Sequence, residues 1–482
     1  MILGIDQGTT GSTALLLSNK GKFLGSFTSA VPQHYPKPGW VEHDPEEIWR
    51  SVAGAVRGVL KKTGLSPHKI LAIGITNQRE TVSLFDGTRP LHRFIVWQDR
   101  RTTEMCETLA PHQKLVRKKS GLPIDPYFSA TKIRWLLNKL KISRAPSSLR
   151  FRTIDSFLLS RLTGADVMEA TNASRTSLMN LANASWDSDL FEIFKIPKTL
   201  APKIIPSEGF DLKTKDVGFL PDGIPICAAL GDQQAALFGQ LGWSAGSGKI
   251  TYGTGSFILL NTGEKPVFSK NNLVSTLAIQ WKNQKSFYAL EGSAFICGAW
   301  IQWLRDELQM LKRSDESETL AEKVGDSGGV FVIPALSGMG APFWKPRLRG
   351  AILGLTRGSN KSHIARASLE ALCFLNRALV EAMTKDVPKV RPSWKVDGGA
   401  VKNNLLLQIQ ADVLGSSIIR PKNLEATATG AALLAGFSKK IFSLDGIENT
   451  WKMDREFNAS SLKFKSYDSK FNEWVNAIER LS

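Results

Sequence analysis

Two short segments about half a chain apart carry the same pattern, and this repeat constrains the fold more than any other feature of the sequence. Near the start, the apolar run ILGID leads into the turn QGTTG and then into STALLLS. In the middle of the 482-residue chain, KITY leads into GTG and then into SFILLN. Two similar turns at this spacing predict two halves of related fold that face each other, residues 1–244 and residues 245–482.

The segments around the first turn predict an α/β protein. The first three apolar runs, the third beginning at Phe23, indicate a meander of strands. A helix should follow, with Asp44 as its cap, Pro45 at its first position and Gly64 at its end. The run ILAIGIT at 70–76 then indicates a buried strand. In the second half, one predicted core helix has an apolar face made of Trp300, Ile301, Leu304, Leu308 and Leu311.

The composition favours a globular protein with an anionic partner. Lysine and arginine number 62 and aspartate and glutamate 44, which gives a formal net charge of +18. This sign suits an anionic partner such as a nucleotide, a nucleic acid or a membrane surface. The basic residues are scattered and form no nucleic-acid-binding motif, so we expect no nucleic-acid partner and interpret the charge as a solvated surface. No run approaches the roughly 18 apolar residues of a membrane-spanning helix, and the start lacks the features of a signal peptide. We therefore expect a cytoplasmic protein that does not insert into membranes.

Three familiar motifs are matched only in part. GDSGG at 325–329 has the letters of a serine-protease nucleophile loop, but no histidine that could act as its base lies between His112 and this segment. GWSAGSGKI at 242–250 approaches a P-loop, yet its last residue is an isoleucine without the hydroxyl that binds Mg²⁺. SATK at 129–132 fits the S-x-x-K pattern of penicillin-binding enzymes without their other motifs. We interpret all three as structural segments.

The two glycine–threonine turns have the composition of phosphate-binding loops. Glycine lets backbone N–H groups approach a phosphate closely, and threonine adds hydroxyl donors beside them. Asp6 lies just before the first turn, where a carboxylate can hold Mg²⁺ directly or through water. An ordinary hairpin explains either turn alone, but two turns, Asp6 and a third glycine loop at 397–404 together favour a nucleotide site. The turn residues assigned to the phosphates are Thr9, Thr10, Gly11 and Thr254.

A second group of residues indicates a small hydroxylated substrate. Asp232 follows the apolar run ICAALG, where the end of a strand would place it in the cleft between the halves, although an aspartate there can also be a plain helix cap. Arg79 and Glu80 follow a buried strand, and Trp97 and Tyr127 offer aromatic faces for the carbons of a polyol. These residues alone predict an ATP-dependent kinase of a small hydroxylated substrate.

At these residues the chain closely resembles the FGGY carbohydrate kinases, which belong to the superfamily of actin, hexokinase and Hsp70 ATPases. The resemblance is specific and runs from residue 1 to about residue 436. It implies two RNase H-like domains that close on ATP, Mg²⁺ and a substrate. The segments that carry it, in chain order, are DQGTT, YPKPGWVEHDPEEIW, GITNQRET, IVWQDRRT, YFSATKIRWLL, TNASRT, GDQQAALFGQ, TYGTGSF, IQWLRDEL, GAILGLTRG and DGGAVKNN.

The segments match the branch of the family that phosphorylates glycerol, so the resemblance implies formation of sn-glycerol 3-phosphate and ADP from glycerol and ATP. Asp232 matches the general base, and Asp6 and Asp232 are the carboxylates assigned to Mg²⁺. The residues that match polyol-binding positions are Arg79, Glu80, Trp97, Tyr127, Asp232, Gln233 and Phe257. Those that match nucleotide-binding positions are Thr9, Thr10, Thr254, Gly298, Gln302, Gly399 and Asn403.

The chain also departs from the family pattern. Many of these kinases carry serine where this chain has Gly11 and, where it has Thr13, an arginine that reaches the nucleotide phosphates. Losing that guanidinium should weaken phosphate binding or slow transfer unless a nearby lysine substitutes for it. The loop that binds fructose 1,6-bisphosphate in some relatives is missing from 216–232, so we expect no such inhibition.

Two other functions are compatible with the sequence. One is an FGGY kinase for another polyol or a ketose, against which the set of Arg79, Glu80, Trp97, Tyr127 and Phe257 argues. The other is a catalytically weak, actin-like nucleotide-binding regulator, against which Asp232 argues, since such a protein needs no base there. Members of the family commonly form homodimers or homotetramers, but the sequence shows no interface.

Overall fold

The computed structural model describes residues 1–142, 144, 146–283, 285–336, 338–345 and 347–481. Each half of the chain forms one large β-sheet. The six-stranded N-terminal sheet contains β1 (Ile2–Gln7), β2 (Gly11–Leu17), β3 (Phe23–Ala30), β4 (Ala72–Asn77), β5 (Glu208–Lys213) and β6 (Pro225–Gly231). The seven-stranded C-terminal sheet contains β7 (Ser247–Tyr252), β8 (Ser256–Gly263), β9 (Val274–Ile279), β10 (Phe287–Ala294), β11 (Ser393–Asp397), β12 (Ile418–Pro421) and β13 (Met453–Phe457).

The two sheets share one central arrangement of strands. The N-terminal sheet has the spatial order β5-β6-β4-β1-β2-β3, and the C-terminal sheet has the order β13-β12-β11-β7-β8-β10-β9. The first strand of each half, β1 or β7, is antiparallel to the strand that follows it and parallel to β4 or β11. The predicted α/β fold with two domains of related, RNase H-like topology is therefore confirmed.

The helices cover the sheets and connect their strands. The helix predicted after Asp44 is confirmed, because the Asp44 side chain accepts hydrogen bonds from the N–H groups of Glu46 and Glu47, and Gly64 ends the helix with a φ of 67°. The helices within the described residues are α1 (Pro45–Thr63), α2 (Thr103–Thr108), α3 (Gln113–Ser120), α4 (Ser129–Lys139), α5 (Ile154–Thr163), α6 (Ala170–Ala173), α7 (Ser188–Ile193), α8 (Asp232–Gly239), α9 (Gly298–Asp306), α10 (Glu316–Ala321), α11 (Lys361–Asp386), α12 (Asn404–Leu414), α13 (Ala426–Ser438), α14 (Leu444–Thr450) and α15 (Ser461–Arg480).

Shorter elements lie before β4, in the long connection between β4 and β6, and in the loops of the C-terminal half. A five-stranded sheet is formed by Glu42–His43, Val82–Asp86, Arg89–Pro90, Phe94–Ile95 and Leu149–Thr153. Three two-stranded sheets pair Val167–Glu169 with Lys203–Ile205, Met179–Asn180 with Ser185–Trp186, and Phe331–Ile333 with Ala351–Leu353. Short 3₁₀ helices occupy Pro67–Lys69, Ala110–His112, Lys198–Leu200 and Gly399–Lys402.

Two helices, α8 and α13, cross between the sheets. Helix α13 belongs to the C-terminal half but packs on β1, β4 and β6 of the N-terminal sheet. Glycine makes this packing possible, because a Cβ added at Gly430 would lie 1.9 Å from the carbonyl oxygen of Ala235 in α8. A Cβ at Gly74 in β4 would likewise lie 1.9 Å from the carbonyl oxygen of Ala431. Backbone therefore lies directly against backbone where the two halves meet.

The predicted helical face that begins at Trp300 is only partly correct. Helix α9 ends at Asp306, and Gln309 has a φ of 52°, so the chain turns before it reaches Leu311. Leu308 is exposed as a result, although Leu311 is still buried in the core. Among the described residues, no helix combines the length and apolar character that crossing a bilayer requires.

Candidate active site

Both glycine–threonine turns reach a single cleft between the halves. Thr9 and Thr10 of the first turn, together with Gly253 and Thr254 of the second, line a cavity of about 610 Å³. Asp232 lines the same cavity because it is the first residue of α8, directly after the end of β6. The structure thus brings the first turn together with the candidate base and the second turn, both of which lie more than 200 residues further along the sequence.

Arg79 lines this cavity and is held by carboxylates from both halves. Its Nη1 and Nη2 atoms donate hydrogen bonds to Glu291 Oε2 and Oε1 at 2.6 and 3.0 Å. Its Nε atom lies 3.0 Å from Asp232 Oδ1, but donates no hydrogen bond within the described residues. Since Glu291 belongs to β10 of the C-terminal sheet, one half fixes an arginine of the other and leaves its Nε–H for a substrate oxygen.

A second buried arginine completes this charged network. Arg175 donates to Glu80 Oε1 at 2.5 Å and to Glu291 Oε1 at 2.8 Å. Burial acts to raise the pKa of Glu291, but Arg175 and Arg79 outweigh burial and lower that pKa to about 2. Burial also raises the pKa of Glu80, against the opposing effect of Arg175 and Arg79. Glu80 has a φ of 61°, a strained backbone conformation that the surrounding hydrogen bonds stabilise at this site.

The three aromatic side chains predicted to contact the polyol line the same cavity. The ring of Trp97 lies 5.7 Å from that of Tyr127 and 6.2 Å from that of Phe257, with interplanar angles of 87° and 77°. Phe257 comes from β8, whereas the other two belong to the N-terminal half. Trp97 Nε1 also donates to Thr9 Oγ1 at 2.9 Å, so the aromatic group is tied to the first turn. Aromatic faces beside charged groups suit a short polyol, whose carbons and hydroxyls need both.

A second cavity, of about 480 Å³, adjoins the first and shares Gly253 and Thr254 with it. Its walls include apolar side chains such as Ile301 and Leu372 between α9 and α11. A largely apolar pocket with a few polar groups, placed next to phosphate-binding turns, suits the base and ribose of a nucleotide. The predicted nucleotide-binding residues that line this second cavity are Thr254, Gly298, Gln302, Gly399 and Asn403.

Asp6 has the properties of a cation ligand. Its Oδ1 atom is buried and has no hydrogen-bond partner among the described residues. Burial raises its pKa well above the usual range, and the nearby carboxylates of Asp232 and Glu425 add to that shift. A divalent cation would satisfy the oxygen and offset the repulsion between the carboxylates, so the residues present fit Mg²⁺.

Among the described residues assigned to the nucleotide phosphates, Gly11 is the exception that lines neither cavity. It pairs with Ala30, and a Cβ on it would lie 2.9 Å from the carbonyl oxygen of Ser29, so this glycine serves the packing of β2 on β3. Thr13, where many family members carry arginine, shares a 2.9 Å hydrogen bond with Thr28.

Sequence reasoning missed three charged residues of this region, Arg175, Lys249 and Glu291, and gave no role of its own to Asp397, which begins the third glycine loop. Each is buried. Glu291 and Lys249 carried a usable signal, because each is a lone charge inside an otherwise apolar or small-residue strand, and a buried charge requires a partner. The identity of that partner could not be read from the sequence, because Arg79 and Glu291 are 212 residues apart.

Two sheets of one topology, with phosphate-type turns facing a carboxylate across a cleft, define a two-domain kinase with an actin-like ATPase fold. The model of the FGGY family of carbohydrate kinases, N-terminal domain, matches residues 1–239, and the model of the C-terminal domain matches residues 248–438. The chain therefore belongs to the FGGY family of carbohydrate kinases.

Similar proteins extend over the whole chain. The sequence is 47% identical to glycerol kinase of Bdellovibrio bacteriovorus and 44% identical to glycerol kinase of Dechloromonas aromatica. These matches cover 100% and 99% of this chain and 99% and 97% of the relatives. The structure of Plasmodium falciparum glycerol kinase with ADP matches this one with a TM-score of 0.90 and 34% sequence identity. The match covers 100% of this chain and 98% of the Plasmodium chain. Gluconate kinase from Lactobacillus acidophilus also has a TM-score of 0.90, at 23% identity and the same coverage, so the fold alone does not select the substrate.

Proposed function

We propose that this chain transfers the γ-phosphoryl group of ATP to glycerol, giving sn-glycerol 3-phosphate and ADP. The observation that carries the proposal is that Asp232, both turns and the charged and aromatic groups line one cavity of about 610 Å³. The relatives that are 44% and 47% identical over nearly their full length support glycerol as the substrate. The residues we assign to glycerol are Arg79, Glu80, Trp97, Tyr127, Asp232, Gln233 and Phe257.

Asp232 is the general base in this proposal. It accepts the proton of a terminal hydroxyl while that oxygen attacks the γ-phosphorus in line, and the bond from the γ-phosphorus to the bridging oxygen breaks as ADP leaves. The Asp232 side chain is 29% exposed, so a substrate can reach it. The unused Nε–H of Arg79, beside the carboxylate, can hold the same substrate hydroxyl in place. Glu80 is positioned by Arg175 to accept a hydrogen bond from a second hydroxyl.

The two turns hold the transferred phosphoryl group between them. Backbone N–H groups and the hydroxyls of Thr9, Thr10 and Thr254 donate toward the developing negative charge. Gly298, Gln302, Gly399 and Asn403 hold the nucleoside in the adjoining cavity. Asp6 and Asp232 would hold Mg²⁺, which would supply positive charge beside the phosphate groups. Closure of the halves over both ligands excludes water and limits ATP hydrolysis.

The substitution Asp232→Asn tests the assignment of the base. We expect kcat to fall by about 10²-fold to 10⁴-fold, the usual contribution of a general base. The affinity for a non-hydrolysable ATP analogue should stay within about threefold, because the nucleoside cavity does not include Asp232. A coupled assay of ADP release and titration calorimetry measure the two quantities. A kcat equal to that of the unmodified protein would refute the role of Asp232.

A substrate series tests the choice of glycerol. The ADP-release assay is run with glycerol, dihydroxyacetone, erythritol and xylulose, and glycerol should give the highest kcat/KM. A higher kcat/KM for erythritol or xylulose would replace glycerol by a longer substrate and leave the kinase mechanism intact. Absence of turnover with all four substrates, combined with tight ATP binding, would instead favour a nucleotide-binding regulator.

The proposal also includes domain limits, location and assembly. We divide the chain into an N-terminal domain of residues 1–244 and a C-terminal domain of residues 245–482, which the family models at 1–239 and 248–438 support. A cytoplasmic location and a homodimer or homotetramer rest on the family resemblance. Light scattering coupled to size-exclusion chromatography tests the assembly, and a molar mass equal to one chain would refute it.

A further inference from the structure

Lys249 is a buried lysine that the proposed mechanism does not use. It lies in the middle of β7 with 0% of its surface exposed. Its Nζ atom donates to Gln233 Oε1, in α8 of the N-terminal half, and to Thr251 Oγ1 at 2.5 Å. Thr251 Oγ1 in turn donates to Asp397 Oδ1 at 2.5 Å. These four side chains form a continuous chain of hydrogen bonds, from Gln233 through Lys249 and Thr251 to Asp397.

The direction of every hydrogen bond in this chain is fixed by chemistry. A lysine ammonium group has donors and no acceptor, so both Gln233 Oε1 and Thr251 Oγ1 accept from Lys249. The single hydroxyl proton of Thr251 is then left for the Asp397 carboxylate, which accepts. The amide oxygen of Gln233 consequently faces Lys249. The amide NH₂ group of Gln233 can therefore donate hydrogen bonds into the cavity that this residue lines.

The chain connects the two ligand cavities. Gln233 and Thr251 line the cavity that we assign to glycerol. Asp397 ends β11, directly before the segment in which Gly399 and Asn403 line the nucleotide cavity. That segment packs closely against β7 beside these hydrogen bonds. Gly398 has a φ of 96°, and a Cβ on it would lie 2.4 Å from the carbonyl oxygen of Tyr252. Three hydrogen bonds, one buried and two partly buried, thus join the wall of one cavity to the segment that lines the other.

We infer that Lys249, Thr251 and Asp397 are positioning residues that couple glycerol binding to nucleotide binding. The inference rests on the proposed function, since it takes Gln233 as part of the glycerol site. A bound glycerol that holds Gln233 in its donor orientation favours the arrangement in which Asp397 and the segment after it are ordered for the nucleotide. By linkage, glycerol and nucleotide then raise each other's affinity by the same factor.

Thr251→Val breaks the chain at its centre with little change of side-chain volume. Titration calorimetry of the intact protein measures the affinity for a non-hydrolysable ATP analogue with and without saturating glycerol, and the ratio of the two affinities is the coupling factor. We expect a factor of about fivefold or more for the unmodified protein, the lower end of typical couplings, and a factor close to one for Thr251→Val. The affinity for the ATP analogue alone should stay within about threefold, because Thr251 does not line the nucleotide cavity. Thr251 does line the glycerol cavity, so the affinity for glycerol alone is measured separately and glycerol is kept saturating for each variant.

Matched variants separate coupling from general damage. Thr251→Ser keeps the hydroxyl and should restore the coupling factor. Lys395→Met removes another half-buried lysine of the same sheet, which donates to the carbonyl oxygen of Gln240 and lies outside the chain of bonds, so its factor should be unchanged. Lys249→Met should lower both the coupling factor and the affinity for glycerol, since Gln233 loses the donor that orients it.

Two results overturn the inference. A coupling factor for Thr251→Val equal to that of the unmodified protein would do so while glycerol phosphorylation still stands. A factor of one for an unmodified protein that phosphorylates glycerol would do so as well. If the unmodified protein neither binds nor phosphorylates glycerol, the proposed function fails, and the coupling fails with it.

Discussion

The two sheets place the same pair of side chains at the same edge, but on exchanged strands. In the N-terminal sheet Asp6 on β1 lies beside Thr76 on β4, and in the C-terminal sheet Thr251 on β7 lies beside Asp397 on β11. Asp6 Oδ1 and Asp397 Oδ2 are both buried without a hydrogen-bond partner among the described residues, but Asp397 also accepts the hydroxyl of Thr251 through its Oδ1 atom. The same topology thus places Asp6, the carboxylate that we propose for the cation, in one half, and Asp397, a carboxylate that accepts an internal hydrogen bond, in the other.

The first strands differ in a second way. Gly4 in β1 lies against α13, and a Cβ on it would be 2.3 Å from the carbonyl oxygen of Ala428. Lys249, at the corresponding place in β7, extends a long side chain to the start of α8. The N-terminal sheet therefore meets its crossing helix through backbone, and the C-terminal sheet meets its own through a buried charge. A symmetric architecture becomes functionally unequal through a few substitutions at equivalent places.

Among the changes that test this comparison, the largest expected effect comes from Asp6, the carboxylate that we propose for the cation. We expect Asp6→Asn to lower kcat by roughly 100-fold to 1,000-fold, since metal-based charge stabilisation is worth several kcal/mol. Without ligands, the same variant should be more stable than the unmodified protein at pH 8, because burial raises the pKa of Asp6 and disfavours its charged form. Asp397→Asn is the matched substitution in the other half and should cost about tenfold or less. An equal or larger loss for Asp397→Asn would break the comparison.

The next prediction tests the backbone contact between α13 and α8. Gly430→Ala places a Cβ 1.9 Å from the carbonyl oxygen of Ala235, so we expect the free energy of unfolding to fall by about 1–3 kcal/mol. Urea denaturation of both proteins measures the difference. Gly325→Ala is the control, because no atom lies within 4 Å of its added Cβ and its change should stay within about 0.5 kcal/mol. Equal stabilities for the two variants would mean that α8 and α13 are free to separate.

A third effect, which depends on pH, concerns the other buried lysine. Lys132, in the segment SATK, donates to the carbonyl oxygens of Tyr127 and Glu80, and burial lowers its pKa from 10.5 to about 7. Charging it in the folded protein is therefore unfavourable, and the protein loses stability as the pH falls from about 10.5 to about 7. Lys132→Met should be more stable by a margin that grows by up to ~1.4 kcal/mol per pH unit over this range and is constant below it.

Urea denaturation at pH 6, 7, 8 and 9 follows that margin. Lys139→Met is the control, because Lys139 is exposed on the same helix, α4, and its substitution should give no dependence of this kind. A stability difference between Lys132→Met and the unmodified protein that does not change with pH would contradict the lowered pKa of this lysine. The two buried lysines differ in their partners. Lys249 donates to a side-chain amide oxygen and a hydroxyl, whereas Lys132 donates to backbone carbonyl oxygens.

The parts of the molecule that the sequence could predict are those whose physics is local. The helix from Pro45 follows from a capping aspartate and a terminal glycine within one segment. The strand and turn around Thr9, and its counterpart around Thr254, follow from apolar runs interrupted by glycine. The family resemblance then supplied the positions that line the two cavities, including Gln302, which composition alone would not have singled out.

The rest depended on contacts between distant segments. Glu291 stands out in its strand, but only the folded chain places it against Arg79 and Arg175. The apolar spacing beyond α9 continues to Leu311, yet the positive φ of Gln309 ends the helix earlier, and the burial of Leu311 comes from tertiary packing. Gly11 was assigned to the phosphates by its neighbours in sequence, but its contact is with the adjacent strand β3.

The pairing of Glu291 with two arginines limits how the enzyme can open. If the halves separated by simple translation, Glu291 would lose both arginines and remain as an unpaired carboxylate in a poorly solvated interior, which is costly. A rotation whose axis passes close to Glu291 avoids that cost, because atoms near an axis hardly move. The mouth of the cleft can then widen to release product while the point where Arg79 is held stays still. In such a hinge motion, the charged cluster lies at the rotation axis and also belongs to the proposed glycerol site.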